Sequence, residues 1–306
     1  TDNRIIAITS AMTEGTGLRQ FHQEFPDRFY DVGIAESAAV DIAAGFAACG
    51  LRPVVCIYST FLQRSFDQLF QEVALQNLPV VFCVDRAGLV GPDGPTHHGL
   101  LDVGFLRMLP NFVLVAPTDE NEMRLALDFA LAQKQPVAIR YPKDLVPSDD
   151  FDRSACTKPF ELGRCIVVRD CGDSNMALVA YGPVLTEALE AAEMLESEGI
   201  SVGVINARFA APVDKQIVSL LDSGVDLVTV EDHGVACGFG SALAEAVAAM
   251  PAAAGRARIA SIAMPREPVD HDSRRRQLIR CGVTADNIAA VARRLCKNRT
   301  MQTNKG

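Results

Sequence analysis

The chain has 306 residues, 49% of them hydrophobic, and a formal net charge of −9. That length suits two ordinary domains with substantial cores. The acidic balance, interrupted by no basic block except Arg274 to Arg276, argues against nucleic acid or an anionic membrane as the main partner.

The first strand is predicted over 5–8, followed by a polar, glycine-containing turn over 13–17 and a short amphipathic helix over 18–25. A second short strand falls at 29–31. An alanine-rich and therefore helix-prone segment runs over 36–49 and is stopped by Gly50. A third strand at 53–57 turns through Tyr58-Ser59-Thr60 into a helix over 61–75, with Thr60 as a plausible cap. A buried strand at 80–84 precedes a long loop. A strand at 112–116, a helix at 119–133 and a strand at 137–140 complete the alternation. Residues 142–160 are polar and acidic and read as a linker. Beyond it, strands are predicted at 176–181, 202–206, 227–231 and 258–262, and helices at 184–198, 215–221, 241–250 and 286–295. The expectation is an α/β fold of two doubly wound domains with mostly parallel sheets, over 1–145 and 163–306, joined by 146–162.

Nine cysteines, with no C-x-x-C pair and no zinc spacing, suggest buried thiols in a reducing cytoplasm. No apolar run reaches membrane-spanning length. The turn GVACGFG, 234–240, fits neither a P-loop nor G-x-G-x-x-G, so a tight turn and helix start is preferred to a phosphate cradle. Arg274 to Arg276 follow Asp270 and Asp272 and are expected in a solvated turn.

The loop after the 80–84 strand carries the chemistry. Residues 80–102 read VVFCVDRAGLVGPDGPTHHGLLD, with Asp85, Arg86, Asp93, Thr96, His97 and His98 among four glycines. In a parallel α/β sheet, ligands bind beyond the carboxyl ends of strands, where this loop begins. The bland alternative is a connecting loop whose polar side chains bond only backbone. DRAG followed by VGPDGPTHHG, together with YSTFLQRSFDQ at 58–68, resembles the 1-deoxy-D-xylulose-5-phosphate synthases. These are thiamine-diphosphate enzymes of the transketolase superfamily, and the resemblance runs along essentially the whole chain.

The resemblance implies roles for particular residues. Glu36, otherwise a helix-start carboxylate favoured by the dipole, would hydrogen-bond the aminopyrimidine of thiamine and help the cofactor form its carbon nucleophile. Phe61, otherwise a core aromatic, would stack on that ring beside Tyr58, and Arg64 would lie near the cofactor or a dimer contact. Arg64 and Asp67, three apart on one helix, are expected to pair. Arg86 and Lys143 would grip the acceptor phosphate. The family usually has arginine in place of Lys143, and lysine binds as a point charge rather than a planar fork. Asp93, His97 and Tyr58 would contact substrate, with His97 donating to an oxyanion or relaying a proton. His98 is a weaker candidate. The implied reaction joins pyruvate to glyceraldehyde 3-phosphate with loss of carbon dioxide, giving an isoprenoid and thiamine precursor.

Two departures from the family pattern stand out. A-E-Q-H-A-V in the family is A-E-S-A-A-V here, placing Ser37 and Ala38 beside Glu36. The G-D-G motif and following asparagine that hold the diphosphate through Mg2+ are missing, and GDSN at 172–175 does not replace them. The chain begins almost directly on its first strand, where the family has a preceding helix, so the expectation is the C-terminal part of a longer synthase or, less favoured, the second subunit of a split one. It would complete its site with an N-terminal half or α-like subunit and form a homodimer. The alternatives are the β-like subunit of a different split transketolase and a non-catalytic dimer partner.

Overall fold

A computed structural model of the chain describes residues 2–146, 156–172, 174–249 and 257–303. Residues 147–155 of the expected linker lie outside these, as do Asp173 of the GDSN run and Met250 at the end of an expected helix.

The apolar segments form two sheets. The first has the order β10-β5-β6-β4-β3-β1-β2. It is built from β1 (Ile5–Thr9), β2 (Phe29–Asp31), β3 (Arg52–Tyr58), β4 (Val81–Asp85), β5 (Val113–Val115), β6 (Val137–Arg140) and β10 (Phe209–Ala211). All its pairings are parallel except β10 against β5. The second has the order β12-β11-β8-β9-β7. Its strands are β7 (Ile166–Arg169), β8 (Met176–Tyr181), β9 (Gly203–Asn206), β11 (Asp226–Gly234) and β12 (Ile259–Met264), and only β7 against β9 is antiparallel.

Strand periodicity explains why the first sheet is apolar on both faces. Val55, Ile57, Phe82, Val84 and Leu114 belong to one buried cluster with Ala39, Val40 and Ala43 of helix α2 (Glu36–Ala48). Their neighbours Val54, Cys56, Val81, Cys83 and Val115 belong to another, with Phe129. Successive residues point to opposite faces, so both must be apolar when both are covered. Gly50, at φ +84°, ends α2 in the left-handed region that glycine adopts without strain.

Several elements depart from the expectations. α1 (Arg19–Glu24) forms where a short helix was expected but buries none of its residues fully. The helix expected over 61–75 is broken into α3 (Ser59–Leu62), a 3-10 turn (Gln63–Ser65), α4 (Phe66–Gln68) and a π-helical turn (Leu69–Ala74). Thr60 does not cap it; its hydroxyl donates to the Thr96 carbonyl at 3.0 Å, tying this segment to the long loop. That loop contains α5 (Asp102–Arg107). α6 (Glu120–Ala132) begins at a true cap, Asp119, which accepts from the Glu122 amide.

In the second half come α7 (Leu185–Ser197), α8 (Lys215–Asp222), α9 (Phe239–Ala248), α10 (Arg274–Cys281) and α11 (Ala285–Thr303). β10 leaves this half to extend the first sheet, and a run of three residues gives no local sign of that. Arg274 to Arg276 start α10 instead of forming a turn; Arg275 and Arg276 are exposed as expected, but the Arg274 side chain is only 11% exposed. The GVACGFG segment is a strand end, turn and helix start whose amides are taken internally: Glu231 accepts from the Phe239 and Gly240 amides at 2.8 and 2.9 Å.

Candidate active site

Tyr58 and Asp85 are register partners at the carboxyl ends of β3 and β4, the edge where a parallel sheet binds ligands. The rings of Tyr58 and Phe61 stack at 5.7 Å and 15°, and His97 meets the Phe61 ring edge-on at 5.5 Å. The polar turn after β1 closes against them. A Cβ on Gly15 would lie 1.9 Å from the Tyr58 hydroxyl, so only glycine fits without movement. Burial pushes the Tyr58 phenol up.

Glu36 is the first residue of α2 and only 5% exposed. Its Oε1 accepts from the Arg64 guanidinium at 2.5 Å, and that guanidinium lies 4.9 Å from the Phe61 ring centre. Arg64 therefore does not pair with Asp67, which accepts from Gln71 at 2.9 Å. The 3-10 turn at Arg64 breaks the helical spacing that would have aligned the two. Ser37 donates to the Arg64 carbonyl at 3.1 Å and fixes the same turn from α2.

Arg86 has φ +54° and sits 3.9 Å over the Tyr58 ring. It donates to Asp85 and to the Gly15 carbonyl, both at 2.7 Å. Burial raises the Asp85 pKa, and Arg86 offsets part of that rise. Lys143 and Asp93 pair at 3.0 Å. That bond, with the charges of His97 and Arg86 acting in the same direction, outweighs burial and lowers the Asp93 pKa. Arg86, Asp93, His97 and Lys143 thus form one electrostatic neighbourhood next to the aromatic pair.

The long loop is a fixed structure. The amides and carbonyls of Gly88 and Gly99 bond each other reciprocally at 2.7 and 2.8 Å. A Cβ on Gly88, at φ +77°, would lie 2.7 Å from the Asp232 carbonyl, so the loop packs directly on β11.

His98 is an anchor. Its Nδ1 accepts from the Val90 amide at 3.2 Å, which leaves Nε2–H to donate to the Val269 carbonyl at 3.0 Å. The ring is held neutral, because burial, reinforced by His271 and His97, lowers its pKa below 6.5. The unfolded chain takes up this proton first on acidification, so stability falls as pH drops below about 6.5, by at most about 1.4 kcal/mol per pH unit. Urea midpoints between pH 7.5 and 5.5 should decline more steeply for the natural protein than for His98→Gln; equal slopes would contradict this.

Some of the buried charge carries no sequence signal for its partners. Arg140, at the end of β6, donates to Asp102 at 2.9 Å and Asp232 at 2.6 Å, with all three side chains at most 2% exposed. Burial works against the Arg140 charge, but the two carboxylates raise its pKa overall; Arg140 and Arg274 in turn hold Asp232 low. Arg208 donates to Glu122 at 2.7 Å in a second buried pair. A charged residue ending an apolar strand, as Arg140 does, signals that a partner exists but not which one. A cavity of about 710 Å³ opens beside these elements, lined by Pro142, Asp144, Glu187, Arg274 and Ile279 among others; none of Glu36, Tyr58, Phe61, Arg64, Arg86, Asp93, His97 and Lys143 lines it.

Residues 1–149 match the transketolase pyrimidine-binding domain and residues 163–288 the transketolase C-terminal domain. The two sheets and these matches define a transketolase-type α/β protein, and the chain belongs to the transketolase family. More particularly, it is 45% identical over 296 residues to the 1-deoxy-D-xylulose-5-phosphate synthase of Heliobacterium modesticaldum, covering 96% of this chain and 44% of that one. The corresponding enzyme of Rhodopirellula baltica is 45% identical over 293 residues, covering 95% and 45%. The chain spans less than half the length of these curated relatives. Among solved structures, a split gene transketolase described as an inactive beta4 tetramer superposes with a TM-score of 0.83 at 27% identity, covering 96% of this chain and 92% of that one. The transketolase of Leishmania mexicana, at a TM-score of 0.78 and 21% identity over 96% of this chain and 43% of its own, shares the fold.

Proposed function

We propose that this chain supplies the pyrimidine-binding and C-terminal domains of a thiamine-diphosphate-dependent 1-deoxy-D-xylulose-5-phosphate synthase, which condenses pyruvate with glyceraldehyde 3-phosphate and releases carbon dioxide. The observation that carries this reading is the grouping of a buried carboxylate, an aromatic pair and a cationic rim at one strand edge: Glu36, Tyr58 with Phe61, and Arg86 with Lys143. The sequence identity to these synthases favours their reaction over that of a split transketolase at 27%.

The residues fit an aminopyrimidine. Glu36 offers Oε2, which has no hydrogen bond among the described residues, and the Tyr58–Phe61 pair offers an aromatic face. When bound, thiamine diphosphate supplies a carbon nucleophile. Glu36 orients the ring and holds one proton contact, with Arg64 fixing the carboxylate through Oε1. Arg86, immobilised by Asp85 and Gly15, presents a positive charge to the acceptor phosphate. Lys143 exchanges its partner Asp93 for the phosphate, freeing Asp93 to accept from substrate hydroxyls. His97 donates to a developing oxyanion.

The diphosphate and Mg2+ site is assigned to a complementary N-terminal half or α-like subunit, with the working assembly a homodimer of such units. Among the described residues, no group of three or more His, Cys, Asp or Glu side chains could hold a metal.

In the complete enzyme, Arg86→Ala and Lys143→Ala should raise KM for the phosphorylated aldehyde about tenfold or more while leaving KM for pyruvate within about twofold, since only the aldehyde carries phosphate. Equal movement of both constants would remove the phosphate role. No product from pyruvate, with activity on ketose donors instead, would favour the β-like subunit of another split transketolase. No activity with either would leave a non-catalytic dimer partner.

A further inference from the structure

Arg274 lies on α10 of the C-terminal half, yet it is tied to both loops that carry the phosphate-binding candidates. Its Nε donates to the Leu89 carbonyl at 3.0 Å, three residues beyond Arg86. Its Nη1 pairs with Asp144, the residue after Lys143. Its Nη2 donates to Asp232 at 3.2 Å, and Asp232 also holds Arg140, three residues before Lys143, at 2.6 Å. One turn further along α10, Gln277 donates to the Gly91 carbonyl and accepts from the Gly91 amide, both at 2.9 Å. Leu89 itself is fully buried in the core of the second sheet.

We infer that Arg274 is a positioning residue for acceptor recognition: it clasps the Arg86 loop and the Lys143 loop together, so that the C-terminal domain sets the spacing of the two cations that read the phosphate. This rests on the phosphate role proposed above for Arg86 and Lys143. A guanidinium suits the task because its planar fork reaches three acceptors in fixed directions, whereas an ammonium on a flexible stem holds fewer at once. Arg274 touches no substrate itself. It acts through two backbone segments that leave the neighbouring strands β4 and β6: the Arg86 loop returns to the first sheet at β5, whereas the Lys143 segment leads on to β7 of the second sheet.

The test uses the complete enzyme and measures KM and kcat with glyceraldehyde 3-phosphate, with unphosphorylated glyceraldehyde and with pyruvate. Arg274→Ala is expected to raise KM for the phosphorylated acceptor about tenfold, because small displacements of positioning groups are costly. KM for pyruvate and kcat/KM for unphosphorylated glyceraldehyde should stay within about twofold, and Arg274→Lys should recover part of the loss. A merely structural role would depress all three substrates together. If Arg274→Ala fails to fold, Asp144→Asn, which removes only the half-exposed carboxylate end of the clasp, should show the same pattern more weakly. Arg86→Ala run alongside separates the two failures. If Arg86→Ala spares the phosphorylated acceptor, the phosphate reading is wrong. If Arg86→Ala is selective for it but Arg274→Ala and Asp144→Asn are not, the clasp is wrong.

Discussion

Replacing Glu36 with alanine in the complete enzyme is expected to lower turnover by about 10²- to 10⁴-fold, the range a positioned proton-transfer group contributes, while the fold survives. Alanine is the best helix former and Glu36 is the first residue of a helix that starts at Ala35 without a side-chain cap. The dipole interaction that is lost is worth about 0.3–1 kcal/mol. Arg64 loses its partner but is half exposed and returns to water, so the broken pair adds little. Glu36→Gln should fail almost as badly, since an amide keeps the shape and loses the charge. Turnover is measured with saturating cofactor, and thermal melts check the fold. Near-natural turnover in either variant would remove Glu36 from the pyrimidine site.

The largest effect on stability is expected at Arg140. Arg140→Met should destabilise the protein by about 3–5 kcal/mol, because it strands buried Asp102 and Asp232 without their shared cation. Arg274 keeps one bond to Asp232, so Asp102 bears most of the loss. Adding Asp102→Leu to Arg140→Met should therefore recover a substantial part, since removing both ends of a buried pair costs far less than removing one. Urea unfolding of the single and double variants measures this. A neutral Arg140→Met, or a double variant worse than the single, would contradict it.

Much of the framework is legible along the chain. Apolar runs with polar ends gave β1, β3, β4, β6 and β8 to within a residue or two, and alanine content with a terminal glycine gave α2. Strand direction and helix periodicity are properties of neighbouring residues, which is why local patterns find them. The candidate loop stood out because reactive side chains and glycines crowd a segment with no period, and the structure brings Arg86, Asp93, His97 and Lys143 into one electrostatic neighbourhood.

Elsewhere the local pattern misled. Helical spacing paired Arg64 with Asp67, but a 3-10 turn redirects Arg64 to Glu36, 28 positions earlier. Charge composition placed Arg274 in solvent, but the long loop and β11 come from afar to bury it. His98 looked like a lesser candidate for chemistry and is a clamp between halves of the chain.

The sequence by itself determined the alternation of most strands and helices, the start and stop of α2, and the kinds of side chain available at the strand edge, because each depends on steric and hydrophobic rules acting over a few residues. Only the tertiary structure decided the sheet that β10 joins, the partners of Arg64, Arg140 and Arg274, and the fastening of the Arg86 loop to the C-terminal half. A buried charge must find an opposite charge, but in a folded chain that partner can lie 92 positions away, as Asp232 does from Arg140, and only packing decides which one arrives.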